Sequence, residues 1–178
     1  MKDISSQYNS YTFNEYLHDE DDKKRYGFTV LENLFVNQVF LSKDKSVLKI
    51  IDKDGFPYYF ECTGDCCNHV WIEHISGIDN LINSYVEKVD NPNWFFLSAR
   101  KEIDYDNSTD QEIVELEMND NSNIDSGFFT LKTNLGNVII ELRNSYNYYQ
   151  YGGGIIYSGV SSNRDLLKLH FDKISEDF

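Results

Sequence analysis

Residues 128–143 carry the pattern that most restricts the fold. Phe129, Leu131 and Thr133 alternate with Phe128, Thr130 and Lys132; after Asn134-Leu135-Gly136-Asn137, Val138, Ile140 and Leu142 alternate with Ile139, Glu141 and Arg143. Successive strand residues point to opposite faces, so a period of two marks a strand with one face on a core. A short run of turn formers between two such stretches marks a hairpin. An antiparallel sheet is therefore expected around this segment.

The chain upstream reads the same way. Phe35 to Leu41 and Val47 to Ile51 are joined by the polar turn Ser42-Lys43-Asp44-Lys45, and Asp52-Lys53-Asp54-Gly55 leads into an aromatic strand from Phe56 to Cys62. Together these predict a meander. Asp65 to Ile75 reads as a strand or an irregular buried segment. Ile78, Leu81 and Ile82 fall at helical spacing within Gly77 to Ser84, which predicts a short helix. β character resumes from Tyr85 to Val89, and Pro92, which cannot donate to a ladder, is expected to end it. Trp94 to Arg100 is another apolar run. Gly152-Gly153-Gly154 suits a bulge or a close backbone approach, and no Gly-Lys-Ser or Gly-Lys-Thr follows that would make it a phosphate loop.

Both ends are expected to be helical. Thr12 to Arg25 begins with a capping-box pattern, Thr12 with Glu15, and runs from acids to bases in the sense that suits a helix dipole. Arg164 to Ile174 places Leu166, Leu167 and His170 on one side. The expected fold class is α+β: mainly antiparallel β sheet with a short internal helix and terminal helices. The division is a polar extension over residues 1–27, a β-rich domain over 28–160 with an acidic insertion at 101–126, and a helix or tail over 161–178.

Charge limits the partners. Thirty acids against sixteen Lys and Arg give −14, and residues 101–126 hold nine of those acids with only Lys101 opposing them. A protein that coats nucleic acid needs a basic footprint, so direct nucleic-acid binding is not expected. A solvated loop is the ordinary use of such a stretch. A sharper use is mimicry of a phosphate backbone, in which Asp104, Asp106, Asp110, Glu112, Glu115, Glu117 and Asp120 face a basic partner protein. No calcium-loop pattern is present. The apolar runs are too short for a membrane span, and the start lacks an apolar signal core, so a cytoplasmic protein is expected.

Cys62, Cys66 and Cys67 form an odd, clustered set, a poor disulfide framework. With His69 they offer four zinc-type ligands, but the spacing lacks two separated pairs, and adjacent residues of an extended chain point apart. Packing of free thiols is the favoured use, and no cofactor is expected. A catalytic thiol would need His69 or His74 beside it.

Glu73 and His74 are the weak candidates for acid–base catalysis, as in a small nuclease or hydrolase, yet neighbours on a strand face opposite ways. The plainer reading pairs Glu73 with a buried partner such as Arg143. Arg143, Asn144, Tyr148 and Tyr149 together suit a nucleotide-type ligand, because Arg donates to phosphate and tyrosine rings stack on bases. An aromatic sheet face with one arginine is the alternative.

Two motifs carry a resemblance. Gly64-Asp65-Cys66-Cys67 with Trp71-Ile72-Glu73-His74-Ile75 and Gly77-Ile78-Asp79-Asn80-Leu81 is similar to a small phage and bacterial domain whose function is not established. Leu131 to Gly136, Glu141-Leu142-Arg143-Asn144 and Tyr148 to Gly153 resemble the second signature of that family. Where the family has Ser-Asn-Gly-Tyr-Tyr, this chain reads Ser145-Tyr146-Asn147-Tyr148-Tyr149. The resemblance implies a phage or mobile-element setting. Joined to the charge, it leads to an expected acidic binding protein, not an enzyme, that inhibits a host nucleic-acid-binding defence system of CRISPR-effector or restriction type. Sequestration of a nucleotide-type signal and hydrolysis are the alternatives.

Overall fold

In the computed structural model the described residues are 27–64, 68–98, 109, 123–146, 154–159 and 166–178. They form a mainly antiparallel β structure with one short helix. The strands are β1 (Phe35–Ser42), β2 (Val47–Asp52), β3 (Pro57–Thr63), β4 (Asn68–Ser76), β5 (Ser84–Ser98), β6 (Asn123–Thr133), β7 (Gly136–Tyr146), β8 (Gly154–Gly159) and β9 (Phe171–Ile174). The helix α1 is Ile78–Leu81, and 3-10 turns cover Thr29–Leu31 and Leu166–Lys168. The order across the sheet is β4-β7-β6-β5-β1-β2-β3-β8, with β9 also on β1.

The hairpin that the alternation predicts is β6–β7. Thr133 pairs with Gly136 across the two-residue loop Asn134–Leu135. Phe129, Leu131, Val138, Ile140 and Leu142 are buried, and Thr133 joins them with a hydroxyl 2.7 Å from Asn80 O and 2.9 Å from Gly136 O. The meander is β1–β2–β3, and the segment after Cys67 is a strand, β4. The short helix lies where its apolar spacing placed it, with Ile78 and Leu81 fully buried.

One ring shows how the sheet bends. Phe28 lies 4.8 Å from Phe60 of β3 and 5.0 Å from Phe129 of β6, centroid to centroid. Those strands are four places apart in the sheet, about 19 Å if it were flat. Contact through a single side chain requires the sheet to curl until both halves share one core. The far edge is closed by main-chain bonds: Ile72 N–H of β4 donates to Lys45 O in the β1–β2 turn, and Ile75 exchanges bonds with Phe178.

Two expectations are corrected. Pro92 does not end a strand, because β5 continues to Ser98. The pairing steps from Asp90↔Thr130 to Asn93↔Phe128, leaving one extra residue on β5. Proline is tolerated in such a bulge because no ladder bond is demanded of it. The helix over Arg164 to Ile174 is also absent from its described part, which is a 3-10 turn followed by strand β9. β5 covers the edge of β1 only at Phe35 and Val36, leaving the main-chain groups from Val39 to Ser42 to be paired by β9. That demand outweighs a weak helical spacing. The expected helix from Thr12 to Arg25 lies outside the described residues, as do Gly152 and Gly153; Gly154 opens β8.

Candidate functional site

The β4–β7–β6 face turned away from the core gathers several of the candidate residues. Trp71, Arg143 and Ser126 stand opposite one another on three adjacent strands. Cross-strand neighbours share a face, so these side chains meet. A bulge between Ile72 and His74 inserts Glu73 beside them. Trp71 Nε1–H donates to Glu73 Oε2 at 2.7 Å, and Arg143 Nη1 lies 3.6 Å from Glu73 Oε1. Arg143 Nε–H and Ser126 Oγ–H both donate to Glu141 Oε1, at 3.2 and 2.6 Å. His69 stacks on Trp71 with ring centroids 5.2 Å apart.

One guanidinium between two carboxylates leaves the cluster with a net negative charge. Two of the three guanidinium nitrogens of Arg143, Nε and Nη1, are thus already turned to carboxylates. Asn144 points the other way: it is 5% exposed, level with Val70 and Asp125, and its Oδ1 has no hydrogen-bond partner among the described residues. The two residues cannot hold one ligand from opposite faces of a strand. Tyr148 and Tyr149 lie outside the described residues.

The bulge at Glu73 overturns the expectation that Glu73 and His74 face opposite ways: His74 stands opposite Glu141, on the same outer face as Arg143. Glu73 turns to Trp71 and Arg143, whereas His74 is exposed with its ring against Phe178, 6.2 Å between centroids. Their side chains turn to different partners, and no hydrogen bond or ion pair between them is present among the described residues. Cys62, on β3, has its Sγ 3.9 Å from Lys45 O. Desolvation, with a smaller contribution from the Asp44 charge, pushes its pKa up to about 12, so the thiol stays protonated at neutral pH. A nucleophile or a metal thiolate needs the opposite. Cys66 and Cys67 lie outside the described residues, and among those described no three His, Cys, Asp or Glu side chains are grouped to hold a metal.

The acidic candidates Asp104, Asp106, Asp110, Glu112, Glu115, Glu117 and Asp120 likewise lie outside the described residues, but the structure defines how that stretch is mounted. β5 and β6 pair from Val86↔Thr133 to Ser98↔Ile124, a bulged ribbon of roughly 30 Å. Near its root Asp90 sits 2.7 Å from Lys88 and 2.8 Å from Lys132. Hydrogen bonds from Lys132 and then Lys88 hold its carboxyl down to about 2. At the other end Asn123 stands opposite Tyr146, and Tyr146 opposite Asn68. The chain thus leaves the sheet at one end three times: into acidic residues 99–122, into the tyrosine-rich stretch 147–153, and back to Cys66 and Cys67. No single motif in the sequence signals this convergence, because it is produced by pairing between distant strands.

Comparison of the chain with protein-family models, with curated proteins and with solved structures gives no match.

Proposed function

We propose that this chain is an acidic binding protein that occupies the nucleic-acid channel of a basic partner. Its specific form is an inhibitor, encoded by a phage or mobile element, of a host CRISPR effector or restriction system in the cytoplasm. The carboxylates between Glu102 and Asp120 stand in for phosphates.

The observation that carries this reading is the pairing of Ser98 with Ile124 at the end of a continuous ribbon, itself backed by β7 and β4. Both ends of the acidic stretch are held together at that end of the ribbon, and this reading takes its charge to be presented from there. Residues 99–122 contribute eight acids and two bases to the −14 total. Concentrated charge raises encounter rates with an oppositely charged cleft, and the effect weakens as salt screens it. The alternatives have less support: Arg143 turns to Glu73 and Glu141, and no hydrogen bond or ion pair joins Glu73 to His74 among the described residues. Among the described residues no helix is long and apolar enough to cross a membrane.

The test is affinity capture from host lysate at low and high salt, with and without competing duplex DNA. The reading expects a basic, nucleic-acid-handling protein at low salt that is lost at high salt and displaced by DNA. Reversing Glu112, Glu115 and Glu117 to lysine is expected to abolish the capture. Recovery of no such partner at low salt contradicts the reading.

A further inference from the structure

The reverse side of the β1–β2–β3 meander holds a second, smaller apolar cluster. Leu48, Ile50 and Phe60 face the main core, whereas the alternate residues Val47 and Tyr59 pack with Leu166, Leu169 and Phe171. At this cluster stands Lys49. Its Nζ lies 5.2 Å from the ring centroid of Phe40, 5.6 Å from Phe171 and 5.8 Å from Tyr59. The pairing explains two of the three rings, since Lys49 is opposite Phe40 on β1 and Tyr59 on β3. The third arrives from the far end of the chain, on the first residue of β9. None of the ion pairs among the described residues includes Lys49. Among the described residues the groups found against its charge are ring faces, which attract an ammonium within about 6 Å.

We propose that Phe40, Tyr59 and Phe171 form a cation-binding cage for an alkylammonium group, occupied by the chain's own Lys49, and that this occupancy latches β9 to the sheet. β9 is four residues long and pairs with β1 alone among the described strands. A short strand at a rim opens at low cost unless a side chain ties it down. Ile174 seats the far end of β9 in the main core; Phe171 ties its first residue, because it is the only wall of the cage that comes from the C-terminal segment. A ligand tethered in the same chain has a high effective concentration, so external ammonium compounds do not displace Lys49. Removing Lys49 empties the cage and leaves it open to them.

The experiment is amide hydrogen exchange on the full chain, read at β9 and at the Lys43 amide, which donates to His170 O. Val138 and Ile140 in β7 serve as controls for global unfolding. Lys49→Arg keeps a cation and is expected to protect β9 as the native chain does. Lys49→Met keeps an apolar stem without charge and is expected to lose protection at β9 about tenfold, with the controls unchanged. Lys49→Ala is expected to lose it too, and to regain it with tetramethylammonium chloride but not with sodium chloride at equal ionic strength. Native-like protection in Lys49→Met, or no difference between the two salts for Lys49→Ala, overturns the proposal.

Discussion

The backbone N–H of Ile78 donates a 2.8 Å hydrogen bond to Asp177 Oδ1, ninety-nine positions further along the chain. Next to it, Phe178 exchanges main-chain bonds with Ile75, so the last residues strap the edge of β4 and the start of α1.

That bond sets a pH response. The Ile78 and then the Gly77 amides favour the charged carboxylate and lower the pKa of Asp177 below its ordinary value. A depressed folded value means that the contribution is complete above the unfolded pKa, about 4, and is lost as pH falls through the folded one. Nuclear magnetic resonance of the Ile78 amide is expected to show a constant shift at neutral pH and a titration below about 4. In Asp177→Asn that titration disappears.

Phe28 is expected to be the most costly aromatic to truncate, because it touches both halves of the curled sheet. Phe28→Ala should lower stability by about 3–5 kcal/mol in urea unfolding. Phe28→Leu, which retains much of the volume, should cost less.

Two glycines with similar backbone angles separate strain from collision. Gly77 (φ 75°) would place a Cβ 2.5 Å from Asn137 O, whereas Gly55 (φ 85°) has nothing within 4 Å. Gly55→Ala should cost about 1 kcal/mol, the left-handed backbone alone. Gly77→Ala should cost roughly 3 kcal/mol, because α1 must also move off the β6–β7 hairpin. Chemical denaturation of both variants tests the difference.

Arg143 is a structural residue in this account. Arg143→Gln removes the cation between Glu73 and Glu141, and since the group is half-exposed the cost should be about 1 kcal/mol. Partner capture should be unchanged. Loss of capture with the fold intact would move attention to the outer face of β4–β7–β6.

What the sequence discloses is local. The period of two in Phe129–Leu131–Thr133 and Val138–Ile140–Leu142 needs only neighbours to be read, and the strands follow. The Glu73–Arg143 contact was accessible as charge pairing in an apolar setting. The bulge at Pro92 was not, because it depends on what Thr130 and Phe128 do on the adjacent strand. β9 was hidden for a similar reason: the Leu166, Leu167 and His170 spacing suggests a helix until the open edge of β1 is known. The convergence of the strand ends at Ser98, Asn123, Tyr146 and Asn68 follows from register, which composition does not encode.

The central claim is that the acidic stretch acts through its charge. Its most direct measurement replaces Asp104, Asp106, Asp110, Glu112, Glu115, Glu117 and Asp120 by the isosteric amides and repeats capture from host lysate at low salt. The account predicts that the fold is retained and the basic partner is no longer recovered. Recovery of the same partner with an unchanged salt dependence contradicts it.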